Sequence, residues 1–212
     1  MKQLWKQVTV AMGVTALAAS GAIAAVATSA SANASVPQVR FQMVRSTAAV
    51  NSGCLPDAHA RVAIRSLGPV EAMVVSASHL PPNTDFDFFV TQVPNAPFGI
   101  SWYQGDLETN RYGRATGTFI GRFSVETFAV APGPAPAPSV FPSDATTNPA
   151  FTPVQMYHLG LWFNSPADAF AAGCQASPTA MTPFNGEHNA GTQVLSTRNF
   201  PNDHGPLRDV QS

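Results

Sequence analysis

Past residue 37 the chain alternates hydrophobic and polar positions in short runs. Val39, Phe41 and Met43 alternate with Arg40 and Gln42, the period of a strand with one buried face. Val62 and Ile64 alternate in the same way with Arg61 and Arg65. Gly68-Pro69 breaks the pattern, and residues 70–76 read as the next strand. Leu80-Pro81-Pro82-Asn83 is a turn by its own chemistry, because two prolines fix φ and withhold donors. In residues 85–92, Asp85 and Asp87 fall on one face and Phe86 and Phe88 on the other. Pro94, Pro97 and Gly99 end that run. Residues 100–109 and 113–123 then predict a hairpin around Asn110-Arg111-Tyr112-Gly113. In its second arm Arg114, Thr116, Thr118 and Arg122 face out, and Ala115, Phe119 and Phe123 face in. The interior glycines Gly117 and Gly121 suggest a bulge or a close backbone approach.

Residues 125–130 read as a further short strand, and residues 131–153 hold seven prolines in 23 positions, an extended loop. Residues 154–163 are apolar on both faces, as suits a central strand. Residues 165–173 predict a short helix, capped by Ser165 or Asn164, with Pro166 in its first turn and Gly173 as its stop. Residues 192–196 make a last strand before a polar tail, PNDHGPLRDVQS. Seven to nine strands with one short helix predict an all-β, antiparallel β-sandwich with an immunoglobulin-like layout.

The first 34 residues change the count of what folds. A short basic start with Lys2 and Lys6 precedes an uncharged run over residues 8–27, and then two Ala-x-Ala sites ending at Ala32 and Ala34. This order predicts a cleaved secretory signal peptide, residues 1–34, as a signal helix. The remaining 178 residues (212 − 34), 35–212, suit one domain. Both lysines lie in the signal, so twelve acids face nine arginines, a mature net charge of −3. No basic run is present, which argues against nucleic acid as a partner. The two cysteines, Cys54 and Cys174, predict a disulfide in an exported chain. The helix near 165–173 would deliver Cys174 to its partner. The protein is expected to be secreted, with no membrane association after cleavage.

The segments IRSLGPVEAMVV, LPPNTDFDFFV, VPNAPFGISWYQGDLETNRYGRATGTFIGRF and TPFNGEHNAGTQVLSTRNFP resemble those of a family of exported bacterial proteins of unknown function. The resemblance spans about residues 60–207. It implies a secreted β-domain, and it assigns no activity, cofactor or site residue.

Several constellations have chemistry to offer. Asp85 with Asp87, and Asp106 with Glu108, each share a strand face. Paired carboxylates can serve glycoside hydrolysis or bind Ca²⁺, though a solvated strand face is the plainer reading. Trp102 and Tyr103 are adjacent, so one faces the core and the other solvent, where it could stack on a sugar. Glu187-His188 and Asp203-His204 together offer two nitrogens and two carboxylates, a candidate divalent-metal set if they meet, though both pairs sit in turn-forming sequence. His158, inside an apolar run, reads as a hydrogen-bonded core histidine. HExxH is absent, and Gly99-Ile100-Ser101-Trp102-Tyr103 lacks the closing glycine of a nucleophile elbow. The expectation is therefore a non-catalytic extracellular binding or surface-associated module. It needs no cofactor, and its ligand would be a glycan or a protein. The alternative is an extracellular hydrolase or carbohydrate-active protein using the strand-borne carboxylates.

Overall fold

The computed structural model describes residues 38–125, 154–180 and 190–210. Eight strands appear: β1 (Gln38–Arg45), β2 (His59–Ser66), β3 (Glu71–Ser78), β4 (Asp85–Thr91), β5 (Ser101–Glu108), β6 (Ala115–Gly121), β7 (His158–Phe163) and β8 (Gln193–Ser196). All pairings are antiparallel, and the order across the sheet is β5-β4-β7-β8-β1-β2-β3-β6. The all-β antiparallel class is as the alternation predicts. The pairing, however, runs through one eight-stranded sheet, which curls into a nearly closed barrel. It does not supply the two-sheet, immunoglobulin-like layout expected from the sequence.

The end strands β5 and β6 are where the sheet curls back on itself. A Cβ added at Gly105 would lie 2.8 Å from the Phe119 ring, and one at Gly117 would lie 2.5 Å from Leu107. Phe119 also stacks on Phe88, with centroids 5.3 Å apart. The expected hairpin of residues 100–109 and 113–123 is therefore corrected. Its turn forms, with Gly113 N–H donating to the Asn110 carbonyl at 2.9 Å. Its arms then separate, β5 pairing with β4 and β6 with β3. The glycines allow the close approach foreseen for Gly117, but across the barrel closure and not within a ladder.

The barrel interior is filled by the inward positions of each strand. Phe41, Met43, Val62, Ile64, Met73 and Val75 meet Phe86, Phe88, Leu159, Leu161 and Phe163 in one cluster. Each such side chain stabilises the fold by about 1.5–3 kcal/mol relative to exposure. β7 is buried on both faces, as its apolar sequence requires. The strand starts at His158; residues 154–157 form a lead-in joined by a bridge between Val125 and Gln155 and by the Met156 N–H donating to the Ser124 carbonyl at 2.8 Å. The tail also differs from its polar reading. Residues Pro206–Asp209 form a 3-10 turn that buries Pro206 and Leu207, and Leu207 N–H donates to the Tyr157 carbonyl at 3.2 Å.

Two short helices serve the disulfide. The first, α1 (Thr47–Ser52), is capped by Ser46 Oγ, which accepts from the Ala49 N–H, and it ends at Gly53 with φ 72°. The second, α2 (Pro166–Ala171), is capped by Ser165, which accepts from the Asp168 N–H, and Gly173 follows with φ 71°. Each left-handed glycine hands the chain to a cysteine. Nothing crowds either glycine, so the backbone conformation is what calls for one. Cys54 and Cys174 are bonded, with Cα atoms 5.1 Å apart. Among the described residues no helix is long and apolar enough to cross a membrane. The expected signal segment 1–34, all but the first residue of the expected strand 125–130, and the proline-rich loop 131–153 lie outside the described residues.

Candidate functional site

Asp85 stands opposite Glu108, and Asp87 opposite Asp106, in the β4–β5 ladder. Cross-strand partners project from the same face. The two carboxylate pairs that look separate in sequence thus form one cluster of four on the outer wall. Asp87 is only 2% exposed, while Asp106 and Glu108 are open to solvent. Asp85 accepts from its neighbour's N–H, Phe86, at 2.9 Å and from the Asn164 amide at 3.1 Å. Its carboxyl is held above the usual range, first by burial and then by the charges of Asp106 and Glu108.

Between Phe88 and Phe89 the register shifts by a bulge, with Gly105 at φ 148°. The bulge rephases β5, so Tyr103 comes to lie opposite Phe89. Without it Tyr103 and Asp106, three apart, would point to opposite faces. With it, the Tyr103 hydroxyl donates to Asp106 Oδ1 at 2.5 Å. Burial, that hydrogen bond and the nearby carboxylates hold the phenol well above its ordinary range. Trp102 takes the other face and packs against the core, as adjacency on a strand requires.

Phe89, Trp162 and Ala190 form a second apolar cluster on this wall. Phe89 sits edge-on to Trp162 at 5.1 Å and to Tyr103 at 5.8 Å. The Trp162 ring lies over Gly160, where an added Cβ would come within 2.2 Å of it. Phe89 and Trp162 are buried, leaving Tyr103, 45% exposed, as the accessible aromatic of the group.

The histidines do not join these acids. His158 is fully buried. Its Nε2 lies 3.1 Å from the Asn202 carbonyl and its Nδ1 2.8 Å from Thr197 Oγ1. A carbonyl only accepts, so Nε2 carries the hydrogen and Nδ1 accepts from Thr197. Burial pushes the His158 pKa down to about 4, against the pull of the neighbouring carbonyls. The core-histidine reading thus matches its surroundings. Asp203 and His204 bond to one another at 2.9 Å, both well exposed. The hydrogen bond from His204 holds the Asp203 carboxyl below its usual range. Glu187 and His188, the other half of the expected metal set, lie outside the described residues. Among the described residues no three His, Cys, Asp or Glu side chains come together as a metal cluster.

A groove opens on a different wall. It encloses about 470 Å³ and is lined by Arg40, Phe41, Gln42, Arg61, Val62, Ala63, Val74 and Ser76. The β1–β2 register sets Arg40 opposite Ala63, Arg61 opposite Gln42 and Arg65 opposite Gln38. Arg40 is therefore diagonal to both other arginines, about 7–8 Å away, across the small side chain of Ala63. Arg61 and Arg65 stand about 13 Å apart along β2. The outer positions of the neighbouring strands add Val74 and Ser76 on β3 and Thr116, Thr118 and Ile120 on β6. No acid stands among these outer positions, and no described carboxylate pairs with Arg40, Arg61 or Arg65. The nearest buried carboxylate, Glu71, is committed elsewhere, accepting from the Phe123 and Ser124 N–H groups at 2.6 and 3.0 Å and approaching Arg122 at 3.9 Å. The alternation of arginines with Val39, Phe41, Val62 and Ile64 was visible in sequence as an outward face. That β1 and β2 would align their arginines around Ala63 was not.

No protein-family model matches the chain, and no curated protein is similar to it.

Proposed function

We propose that the protein is an exported, disulfide-stabilised binding module that holds an anionic extracellular polysaccharide in the arginine groove. The observation carrying this reading is that Arg40 and Arg61 line the groove with Arg65 beside them, and none of the three pairs with a described carboxylate. Guanidinium forks match carboxylate and sulfate groups in bidentate fashion. Gln42, Ser76, Thr116 and Thr118 supply amides and hydroxyls suited to sugar hydroxyls. Among the described residues the wall carries no Phe, Tyr or Trp ring facing outward on which bases would stack, which favours a glycan over single-stranded nucleic acid. Export rests on the N-terminal sequence, and the Cys54–Cys174 bridge is in keeping with an oxidising compartment.

The test is calorimetric titration with polygalacturonate and with neutral dextran, at low and at 300 mM salt. The acidic polymer should bind, weaken with salt as screened charges do, and bind at least tenfold more weakly to an Arg40→Ala/Arg61→Ala variant. Equal binding of dextran, or an unchanged double variant, overturns the reading.

The four-carboxylate cluster favours a second reading, hydrolysis of a glycan. Asp85, held protonated to higher pH than an ordinary aspartate, is the group suited to donate a proton beside the carboxylates of Asp106 and Glu108. Turnover on a glycoside panel that disappears in Asp85→Asn would replace the binding reading with this one.

A further inference from the structure

His59, Ser78 and His79 sit together where β2 begins and β3 ends, at the end of the arginine-bearing wall, one outer position beyond Arg61 and Ser76. His59 and Ser78 are direct partners in the β2–β3 ladder, so both project outward. His79 follows with its backbone left-handed, at φ 60°, a conformation uncommon outside glycine. The turn brings its ring beside that of His59, with centroids 5.3 Å apart and planes 34° from parallel. His59 Nε2 lies 3.1 Å from Ser78 Oγ, and His79 Nδ1 lies 3.3 Å from the same oxygen.

The tautomer of His59 follows from its other contact. Its Nδ1 is 2.9 Å from the Asp57 carbonyl. That oxygen only accepts, so Nδ1 carries the hydrogen and Nε2 keeps its lone pair. The lone pair therefore faces Ser78 Oγ, the oxygen that His79 Nδ1 also approaches. A ring nitrogen freed by a carbonyl holding the opposite N–H is the arrangement of metal-ligating histidines.

We propose that His59 Nε2, Ser78 Oγ and His79 Nδ1 form an exchangeable site for a late divalent transition-metal ion, Zn²⁺ or Cu²⁺, with water completing the shell. Donors held about 2.0–2.1 Å from a tetrahedral ion stand about 3.3 Å from one another. The two observed spacings are close to such edges, so loading needs small side-chain shifts. His79 hydrogen-bonds through Nδ1 and can carry its hydrogen on Nε2 instead, presenting a second lone pair. Imidazole donors select zinc and copper over calcium and magnesium, which take oxygen shells. His79 is exposed and His59 and Ser78 are half-buried, so the site opens to the medium. The site goes beyond the glycan-binding reading and uses none of its residues.

The experiment is titration of tag-free full chain with ZnCl₂ and CuCl₂, followed by calorimetry and by histidine ring NMR. One equivalent should bind, shifting the His59 and His79 resonances, and CaCl₂ and MgCl₂ should give no heat. His59→Ala and His79→Ala should each weaken binding at least tenfold, while His188→Ala and His204→Ala bind like the parent. Should His59→Ala fold poorly, the exposed His79 position decides. No binding, binding unaltered in His79→Ala, or binding lost in His188→Ala or His204→Ala overturns the site.

Discussion

Acid should loosen this fold through His158 over a defined pH window. Buried and neutral, its imidazole has a pKa near 4 in the folded chain, against 6.5 for the ordinary side chain. Above pH 6.5 neither the folded nor the unfolded state binds this proton. Between 6.5 and about 4 the unfolded state binds it and the folded state does not, so stability falls as pH falls. Below about 4 both states are protonated and no further loss comes from this group. The gap between the two values corresponds to about 3 kcal/mol, a large share of the ~5–15 kcal/mol typical of a domain. Burial is the chief resistance to charging, and the hydrogen bonds around the neutral ring are already complete. Leu159 N–H donates to Thr197 Oγ1 at 3.1 Å, Thr197 donates to Nδ1, and Nε2 donates to Asn202. The assay is urea unfolding of the parent and of His158→Gln at pH 7.5, 6, 5 and 4. The variant should be less stable at neutral pH, and its deficit should shrink by about 3 kcal/mol toward pH 4. A deficit constant across that range, or a His158 ring that titrates by NMR near 6.5, would refute the reasoning.

Three further outcomes follow from particular contacts. Replacing Cys54 and Cys174 together by Ser releases a loop of sequence separation 120. The chain-entropy cost is then up to about 5 kcal/mol, seen calorimetrically as a midpoint lowered by roughly 10–20 °C. Gly205→Ala would place a Cβ 2.2 Å from the Tyr157 carbonyl oxygen and 2.8 Å from the His158 ring. The tail must lift, costing about 1–3 kcal/mol in urea unfolding, with faster hydrogen exchange at the Leu207 amide. Glu71→Ala removes the acceptor of two buried N–H groups, Phe123 and Ser124. A loss of about 3 kcal/mol is expected from the orphaned donors, and an unchanged unfolding midpoint would contradict the role assigned to Glu71.

Local chemistry alone was enough for β1 to β6 and β8, the helix over α2 and the disulfide; it missed α1 and began the strand of β7 four residues early. Period-two alternation marks which residues of β1, β2 and β4 face inward, because side chains on a strand alternate whatever the strand pairs with. Ser165, Pro166 and Gly173 mark a helix through caps that act within a few residues. Two cysteines leave one internal pairing. Partner choice was decided by the tertiary structure. The turn at Asn110–Gly113 is compatible with a hairpin, but β5 and β6 bury more by closing the barrel through Phe119, Leu107 and Gly105. The tail reads as polar, yet Leu207 finds a place in the core that no local rule specifies. The site residues divide in the same way. The outward direction of Asp85, Asp87, Arg40, Arg61 and Arg65 is a property of each strand. Their gathering into a four-carboxylate wall and an arginine groove depends on long-range register, and Tyr103 joins the acids only through a one-residue bulge. The convergence of His59 and His79 on Ser78, from opposite strands and a left-handed backbone, was likewise invisible in sequence. Chemistry at a distance of 3 Å is set by which strands meet, and the sequence encodes that meeting only through the packing of the whole barrel.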